Sequence, residues 1–193
     1  MCFLRLLGAT VLKVFSVTAL SLDLKTTLNA PDLLQVCAYR TEAPGDLPVV
    51  DALHAAAFGP GRFARSAFRL REGKIPRYEC SWLAHINESL VGAVRLTDIR
   101  IGKSRALLLG PLCTRPDLQG QGIGRALMAR AMQTAAELNI AAVLLIGDLE
   151  YYAPFGFHRT SLGQVLLPGP ADPRRILIAP LSGDLSHYSG TVR

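Results

Sequence analysis

"RPDLQGQGIGRALMARAM" (residues 115–132) places three glycines at every second position, directly before a run of residues with helical spacing. Glycine costs roughly 1 kcal/mol relative to alanine inside a helix, so three of them at a helix start call for another reason. A tight turn between a strand and a helix would need only one glycine. Glycine lets a ligand approach backbone N–H groups closely, and a helix N-terminus carries about half a positive charge. The segment therefore predicts a site for an anionic group such as a pyrophosphate.

Spacing separates this segment from two other glycine motifs. The dinucleotide fingerprint G-x-G-x-x-G, counted from Gly120 and Gly122, needs a glycine where Arg125 stands. The phosphate-binding loop G-x-x-x-x-G-K-[ST] fails at residues 102–104, because no glycine lies five positions earlier. What remains is Gln-x-x-Gly-x-Gly, beginning at Gln119 and opening a helix. Arg125 adds a mobile positive charge beside it.

The apolar pattern around the glycine segment predicts one mixed α/β domain of ordinary size, since 50% of the 193 residues are hydrophobic. Strands separated by short turns precede the segment as an antiparallel meander, and a continuous apolar strand follows its helix. The predicted elements are a short strand within 33–46, a helix after an Asp46 N-cap that ends at 58–61, a basic helix over 62–73 that buries Phe63, Ala67 and Leu70, three strands from 78 to 114, a helix reaching Leu138, a strand over 141–147, a short helix over 149–154, a strand from 157 and a last strand over 174–181.

Charge and cysteine content exclude several classes of protein. The net charge of +6 favours anionic partners, but the basic residues are scattered without interleaved aromatic side chains, so no nucleic-acid partner is expected. The four cysteines are separated by 35, 43 and 33 positions, which suits neither a zinc nor a redox motif. We expect no metal site and a reducing, cytoplasmic location.

The first 21 residues are apolar and basic and carry a passable cleavage pattern at residues 17–19. Arg5 and Lys13 split the apolar run into pieces far shorter than the roughly 20 residues of a membrane span. We expect no stable membrane span and favour a poorly ordered extension over a secretory signal.

The stretches "LLLGPLCTRPDLQGQGIGRALMARA" (107–131) and "LLIGDLEYYAPFGF" (144–157) resemble the GNAT superfamily of acyl-CoA-dependent N-acetyltransferases, whose signature is [QR]-x-x-G-x-[GA] between a strand and a helix. With "LPGPADPRRILIAPLSGDL" (167–185) they are similar to the YhbS-like bacterial branch. The resemblance covers residues 36–186 and sets off residues 1–35 as an extension and 187–193 as a tail. It implies a strongly twisted mixed sheet of six or seven strands, with helices on both faces and a splay between the fourth and fifth strands.

The same resemblance implies an acetyl-CoA-dependent N-acetyltransferase that moves an acetyl group directly to an amine of a small molecule or protein. The alternative is a catalytically idle acyl-CoA-binding regulatory module, which would bind acetyl-CoA without turnover. Neither the acceptor nor the oligomeric state is indicated by the sequence.

Site residues follow from the family's pattern. Backbone N–H groups of a bulged strand bind the acetyl carbonyl and the pantetheine arm, a role that falls to Leu112, Cys113 and Thr114, with Leu112 and Cys113 as oxyanion donors. Gly110-Pro111 suits such a bulge. The expected pyrophosphate-binding residues are Gln119, Gly120, Gln121, Gly122, Ile123, Gly124 and Arg125. A tyrosine four residues before the glycine of "GF" is the general acid, which gives Tyr152. Its neighbour Tyr151 is the weaker alternative, because adjacent residues on a helix point in different directions.

The general base is open, because the bulged strand lacks the carboxylate that some family members place there. The candidates are Glu79, His85, Asp98, Asp148 and His158, and Asp148 is also a plausible N-cap for the short helix that presents Tyr152. Cys113 suggests an acetyl-cysteine intermediate, but no histidine lies near it in sequence and the family generally transfers directly. The arginines of residues 61–74 could select an acidic acceptor or form a solvated face.

Overall fold

The computed structural model describes residues 30–64 and 66–193. Residues 1–29 of the predicted extension lie outside the described residues. Within them the chain forms α1 (Ala30–Val36), β1 (Cys37–Thr41), α2 (Leu47–Phe58), α3 (Ser66–Arg71), β2 (Trp82–Ile86), β3 (Ser89–Ile101), β4 (Ser104–Thr114), α4 (Ile123–Glu137), β5 (Ala142–Ile146), α5 (Leu149–Tyr152), β6 (His158–Arg159), β7 (Val165–Leu166), β8 (Ile176–Pro180) and β9 (Gly190–Thr191). No helix among these combines the length and apolar character needed to cross a membrane.

Seven strands form one mixed, open sheet in the order β1-β2-β3-β4-β5-β8-β6. Neighbouring strands are antiparallel except β4 and β5, which run parallel on either side of the α4 crossover. This confirms the predicted meander and the predicted strand count. A separate two-stranded parallel sheet joins β7 to β9.

Helices cover both faces of the sheet, as predicted. On one face α4 buries Ile123, Leu127, Ala131 and Ala135, which the helical period of 3.6 residues places on one stripe. On the other face, Val50 and Leu53 of α2 pack with Leu83, Ala93 and Cys113 of the sheet. The two helices therefore pack on opposite faces of the sheet, against alternate residues of the same strands.

The sheet splays between its fourth and fifth strands in the chain. β4 pairs with β5 only at Leu107↔Val143 and Leu108↔Leu144. Just beyond, the register of β4 against β3 shifts between Val94 and Leu96, so that Gly110 and Pro111 stand opposite Arg95 alone. This β-bulge bends β4 away from β5 and opens a wedge at the end of the paired segment.

Three features of the first half of the chain differ from the prediction. The strand predicted within 33–46 is confirmed at Cys37–Thr41, but the residues before it form a helix that was not predicted, and Leu33 of this helix is buried in the main core. The basic helix is shorter than predicted: Pro60–Ala64 form a 3₁₀ turn, and α3 follows. Phe63, which the helical register would bury, is 51% exposed.

Two end-of-helix predictions also differ from the structure. Asp46 holds the N-cap position of α2 without a capping bond, because its carboxylate accepts hydrogen bonds from Arg40 (2.6 and 2.7 Å) and from the Ala43 N–H (2.8 Å). The Arg40 hydrogen bond lowers the pKa of Asp46 to about 2. At the other end, α4 stops at Glu137, and Leu138, predicted to complete the buried stripe, is 41% exposed.

The final residues pack against the meander. Tyr188 and Val192 are buried, and the backbone of Arg193 exchanges two hydrogen bonds with Arg100 (2.8 and 2.9 Å). Gly102, in the turn between β3 and β4, has φ +58°, and a methyl group there would overlap the carbonyl oxygen of Ser189. The turn and the C-terminal segment are therefore closely packed at this point.

Replacing Gly102 with alanine should lower the free energy of unfolding by about 2–4 kcal/mol, because the positive φ and the backbone overlap add together. Gly73→Ala is the matched control, since Gly73 has φ +72° but open space around its Cβ position, and it should cost about 1 kcal/mol. Denaturant unfolding of both variants measures the difference. Equal losses would show that the C-terminal segment does not press on this turn.

Candidate active site

The three alternating glycines at the start of α4, Gly120, Gly122 and Gly124, have two distinct structural roles. Gly120 (φ +79°) and Gly122 (φ +87°) adopt left-handed conformations that favour glycine. Gly124 does not; instead, a Cβ at Gly124 would lie 3.0 Å from the hydroxyl of Tyr151. A Cβ at Gly122 would lie 3.2 Å from Leu34 of α1, the helix that the sequence did not predict. Only part of the motif is thus explained by ligand access.

The start of α4 presents backbone donors. The first hydrogen bond of the helix runs from the Ala126 N–H to the Gly122 carbonyl (3.0 Å), and no side chain caps Gly122. The N–H groups of Ile123, Gly124 and Arg125 therefore have no acceptor within the helix. Together with the helix dipole of this 15-residue helix, they form a local positive potential that suits an anion.

A cavity of about 470 Å³ lies in front of these donors. It is bounded by the glycine segment, the end of β4, the end of α2 and the two tyrosines of α5. Nine of the ten residues predicted to bind the cofactor line it: Leu112, Cys113, Thr114, Gln119, Gly120, Gly122, Ile123, Gly124 and Arg125. Gln121 does not.

A second cavity, of about 900 Å³, lies on the other side of the splay. Its walls come from α2, α3, the bulge of β4, the end of β5 and the loop before β8. Four residues line both cavities: Phe58, Leu112, Asp148 and Tyr152. Tyr152 thus lies where the two cavities meet.

Tyr152 is fixed in place by its neighbours. Its ring lies so close to Gly147, at the end of β5, that a methyl group there would overlap it. The ring also makes edge contacts with Tyr151 (4.8 Å between centroids) and Phe157 (5.9 Å). Burial raises the pKa of Tyr152 to about 12, so the phenol is protonated at neutral pH and can donate a hydrogen bond.

Tyr151 points elsewhere, as the sequence analysis expected. Its hydroxyl faces Gly124, and the guanidinium of Arg125 lies 5.7 Å from its ring centroid. Burial raises the pKa of Tyr151, although Arg125 acts in the opposite direction. This tyrosine belongs to the wall of the smaller cavity.

Of the proposed general bases, Asp148 alone lines these cavities; Glu79, His85, Asp98 and His158 line neither. Asp148 holds the N-cap position of α5 without a side-chain capping bond, and its carboxylate pairs with Arg175 at 3.2 Å. Cys113 is buried, and burial raises the pKa of its thiol to about 12. Among residues 30–64 and 66–193, no group of three or more metal-ligating side chains converges.

An ionic network beneath the larger cavity was not predicted from the sequence. The guanidinium of Arg95 donates to both carboxylate oxygens of Glu42 (2.5 to 3.0 Å) and, through Nη1, to Oδ1 of Asp51 (3.0 Å). Arg95 lies opposite the bulge, in the otherwise apolar run "LVGAVRL" (90–96). A charged residue in such a run is the one local signal that could have indicated it.

Comparisons with known proteins agree with this geometry. A family model for the acetyltransferase (GNAT) domain matches residues 77–159, a span that includes the bulge, the glycine segment and both tyrosines. The chain is 29% identical over 121 residues to the uncharacterized N-acetyltransferase YhbS of Escherichia coli strain K12, over 61% of this chain and 71% of that protein.

Two solved structures superpose on the fold. That of YhbS from E. coli in complex with CoA gives a TM-score of 0.69 at 25% identity, over 81% of this chain and 88% of that one. That of a GNAT family acetyltransferase from Brucella melitensis in complex with acetyl-CoA gives a TM-score of 0.56 at 27% identity, over 73% and 94%.

Proposed function

We propose that this chain, whose residues 77–159 match a family model for the acetyltransferase (GNAT) domain, is an N-acetyltransferase that moves an acetyl group from acetyl-CoA directly to an amine of a small molecule or a protein. The observation that carries the proposal is the wedge between β4 and β5, which joins a cavity rich in backbone donors to a larger one. The two similar solved structures hold CoA and acetyl-CoA, respectively.

The residues of the smaller cavity fit acetyl-CoA. The positive φ of Gly120 and Gly122 exposes the backbone before α4, and the N–H groups of residues 119–125 would hold the pyrophosphate. The side chain of Arg125 would add a charge-assisted contact. The backbone of residues 112–114, beyond the last pairing with β5, would hold the pantetheine arm. When bound, acetyl-CoA supplies an activated thioester.

Acetyl transfer forms a C–N bond to the neutral amine and breaks the C–S bond of the thioester. The nitrogen loses one proton to solvent when the ammonium form becomes the free amine and a second when the amide forms. The N–H group of Leu112 would stabilise the negative charge that develops on the acetyl oxygen, whereas the neighbouring N–H group of Cys113, in register with Ala93, faces β3. Tyr152, at the junction of the cavities, would donate its proton toward the leaving sulfur. Its raised pKa keeps that proton in place over the whole neutral range. The larger cavity would receive the acceptor.

Direct transfer predicts that Cys113→Ala keeps kcat within about threefold of the wild type, because a buried thiol of pKa about 12 is not a thiolate nucleophile at neutral pH. Steady-state release of free CoA measures this, with acetyl-CoA affinity as the control for the fold. A loss of kcat of about a hundredfold with unchanged affinity would instead indicate an acetyl-cysteine intermediate.

Two further assignments extend the proposal. The acetyltransferase domain comprises residues 36–186, with residues 1–35 as an extension and 187–193 as a tail, and Leu33, Tyr188 and Val192 of these flanking segments pack into its cores. The protein acts in the cytoplasm, a location consistent with the free, buried state of Cys37, Cys80 and Cys113.

The test is acetyl transfer itself. The purified full chain is incubated with acetyl-CoA and a panel of primary amines and peptides, with thiol release and product mass as readouts. We expect release above the buffer rate for at least one amine, together with an acetylated product. A chain that binds acetyl-CoA and acetylates no member of the panel would contradict the proposal.

A further inference from the structure

Buried polar side chains concentrate at the larger cavity. Among the described residues, the buried polar and charged side chains are Glu42, His54, Ser66, Ser81, Arg95 and Thr97. Four of these six line the cavity, and a fifth, Glu42, holds Arg95. Burying polar groups costs free energy that apolar residues of similar volume would not. Their concentration at one cavity therefore points to binding rather than to stability.

The ionic network under this cavity carries one net negative charge. Glu42 and Arg95 are both buried and neutralise one another through hydrogen bonds of Nε and Nη2. Asp51 adds a second carboxylate, whose Oδ1 accepts from Nη1 of Arg95 (3.0 Å). Its side chain is 65% exposed and lines the cavity. The buried pair thus fixes an accessible carboxylate close to the bulge.

Three of the other charged side chains on the cavity wall have different partners. Asp148 pairs with Arg175 (3.2 Å), and Asp172 pairs with Arg174 (3.2 Å). Lys74 donates to the backbone carbonyl of Asp98 (3.3 Å). Asp51 differs from these two carboxylates because the guanidinium that it contacts is already neutralised by a second, fully buried carboxylate. Its Oδ1 also lies 3.9 Å from Nδ1 of the buried His54.

An apolar wall lies on the same cavity. Leu47 and Phe58 of α2, the helix that carries Asp51, line it together with Phe63 and Phe68. The rings of Phe63 and Phe68 meet edge to face at 4.9 Å. Phe63 is half exposed, so this aromatic pair offers contact area to a ligand.

We propose that Asp51 binds the ammonium group of the acceptor, and that the acceptor is a primary amine carried on an apolar or aromatic group. Glu42 and Arg95 act as positioning residues, because they hold the Asp51 carboxylate without reaching the ligand. The assignment rests on the proposed acetyltransferase function and names the substrate class of the larger cavity.

The experiment measures ligand binding separately from acetyl transfer. Calorimetry on the full chain saturated with CoA uses 2-phenylethylamine as the cationic probe and 3-phenylpropionate as the anionic probe of similar shape. In Asp51→Asn the Kd of the amine should rise at least about tenfold, while the Kd of the acid should not rise. Asp51→Glu should restore amine binding to within about threefold of the wild type.

Glu72→Gln is the matched control, since Glu72 also lines the cavity but takes no part in the Arg95 network. It should change the Kd of the amine by less than about twofold. An amine that fails to bind the wild type, or that binds Asp51→Asn as tightly, would overturn the inference. An equal loss in Glu72→Gln would do the same, because it would show a general charge effect.

Thiol release with 2-phenylethylamine separates this inference from the proposed function. Binding that depends on Asp51 without acetyl transfer would contradict the enzyme activity and leave the ammonium site standing. Transfer with the same KM for the amine in wild type and Asp51→Asn would overturn the ammonium site alone. In either case the Kd for acetyl-CoA should stay unchanged, which a misfolded α2 would not allow, because Phe58 lines both cavities.

Discussion

Replacing Tyr152 with phenylalanine should lower kcat about 10²- to 10³-fold and leave the affinity for acetyl-CoA within about threefold of the wild type. The phenol is the group at the junction of the two cavities, and burial holds its pKa at about 12, so at neutral pH it carries the proton that the leaving sulfur requires. Phenylalanine keeps the ring contacts with Tyr151 and Phe157 and removes only the hydroxyl.

Steady-state CoA release and calorimetric acetyl-CoA binding are the measurements for this variant. Tyr151→Phe is the matched control, because the Tyr151 hydroxyl faces Gly124 on the side of the smaller cavity. Its kcat should stay within about tenfold of the wild type. If Tyr151→Phe were the slower enzyme, the roles of the two tyrosines would be exchanged.

Gly122→Glu should weaken acetyl-CoA binding at least about a hundredfold. The substitution places a carboxylate beside the free N–H groups of α4, where it repels the pyrophosphate and competes for the same donors. It also forces a side chain to adopt φ +87°, which costs about 1–2 kcal/mol of stability.

Gly183→Glu separates the two effects. Gly183 has a similar φ of +71° and open space at its Cβ position, but it lies away from both cavities. Gly122→Glu should unfold at the lower denaturant concentration of the two, because its Cβ also lies 3.2 Å from Leu34, but only this variant should lose binding in calorimetry. Wild-type affinity in Gly122→Glu would mean that the pyrophosphate does not lie at this helix terminus.

Features with a local cause were predictable from the sequence. The meander, the glycine segment and the position of Tyr152 each depend on a short pattern of turns, periodicity or motif spacing. The separate directions of Tyr151 and Tyr152 followed from adjacency on a helix. The short apolar run at the start of the described chain did not reveal α1, because periodicity cannot separate strand from helix over so few residues.

Features with a distant cause were not predictable. The network of Glu42, Asp51 and Arg95 joins residues up to 53 positions apart, so no short stretch of sequence contains all three residues. The reason for glycine at position 124 lies in Tyr151, on the helix that follows β5. By contrast, Arg40 lies only six positions from Asp46, and its hydrogen bond to that carboxylate was missed because the local pattern assigns Asp46 to a helix cap.

The two tyrosines of α5 each depend on a glycine elsewhere in the chain: Tyr151 on Gly124 and Tyr152 on Gly147. A methyl group at position 147 would overlap the Tyr152 ring, whereas one at position 124 would meet only the Tyr151 hydroxyl, at 3.0 Å. A side chain at 147 therefore requires a smaller residue at 152, while a side chain at 124 requires only a small shift of Tyr151. In evolutionary terms, we expect positions 147 and 152 to change together and positions 124 and 151 to vary more freely.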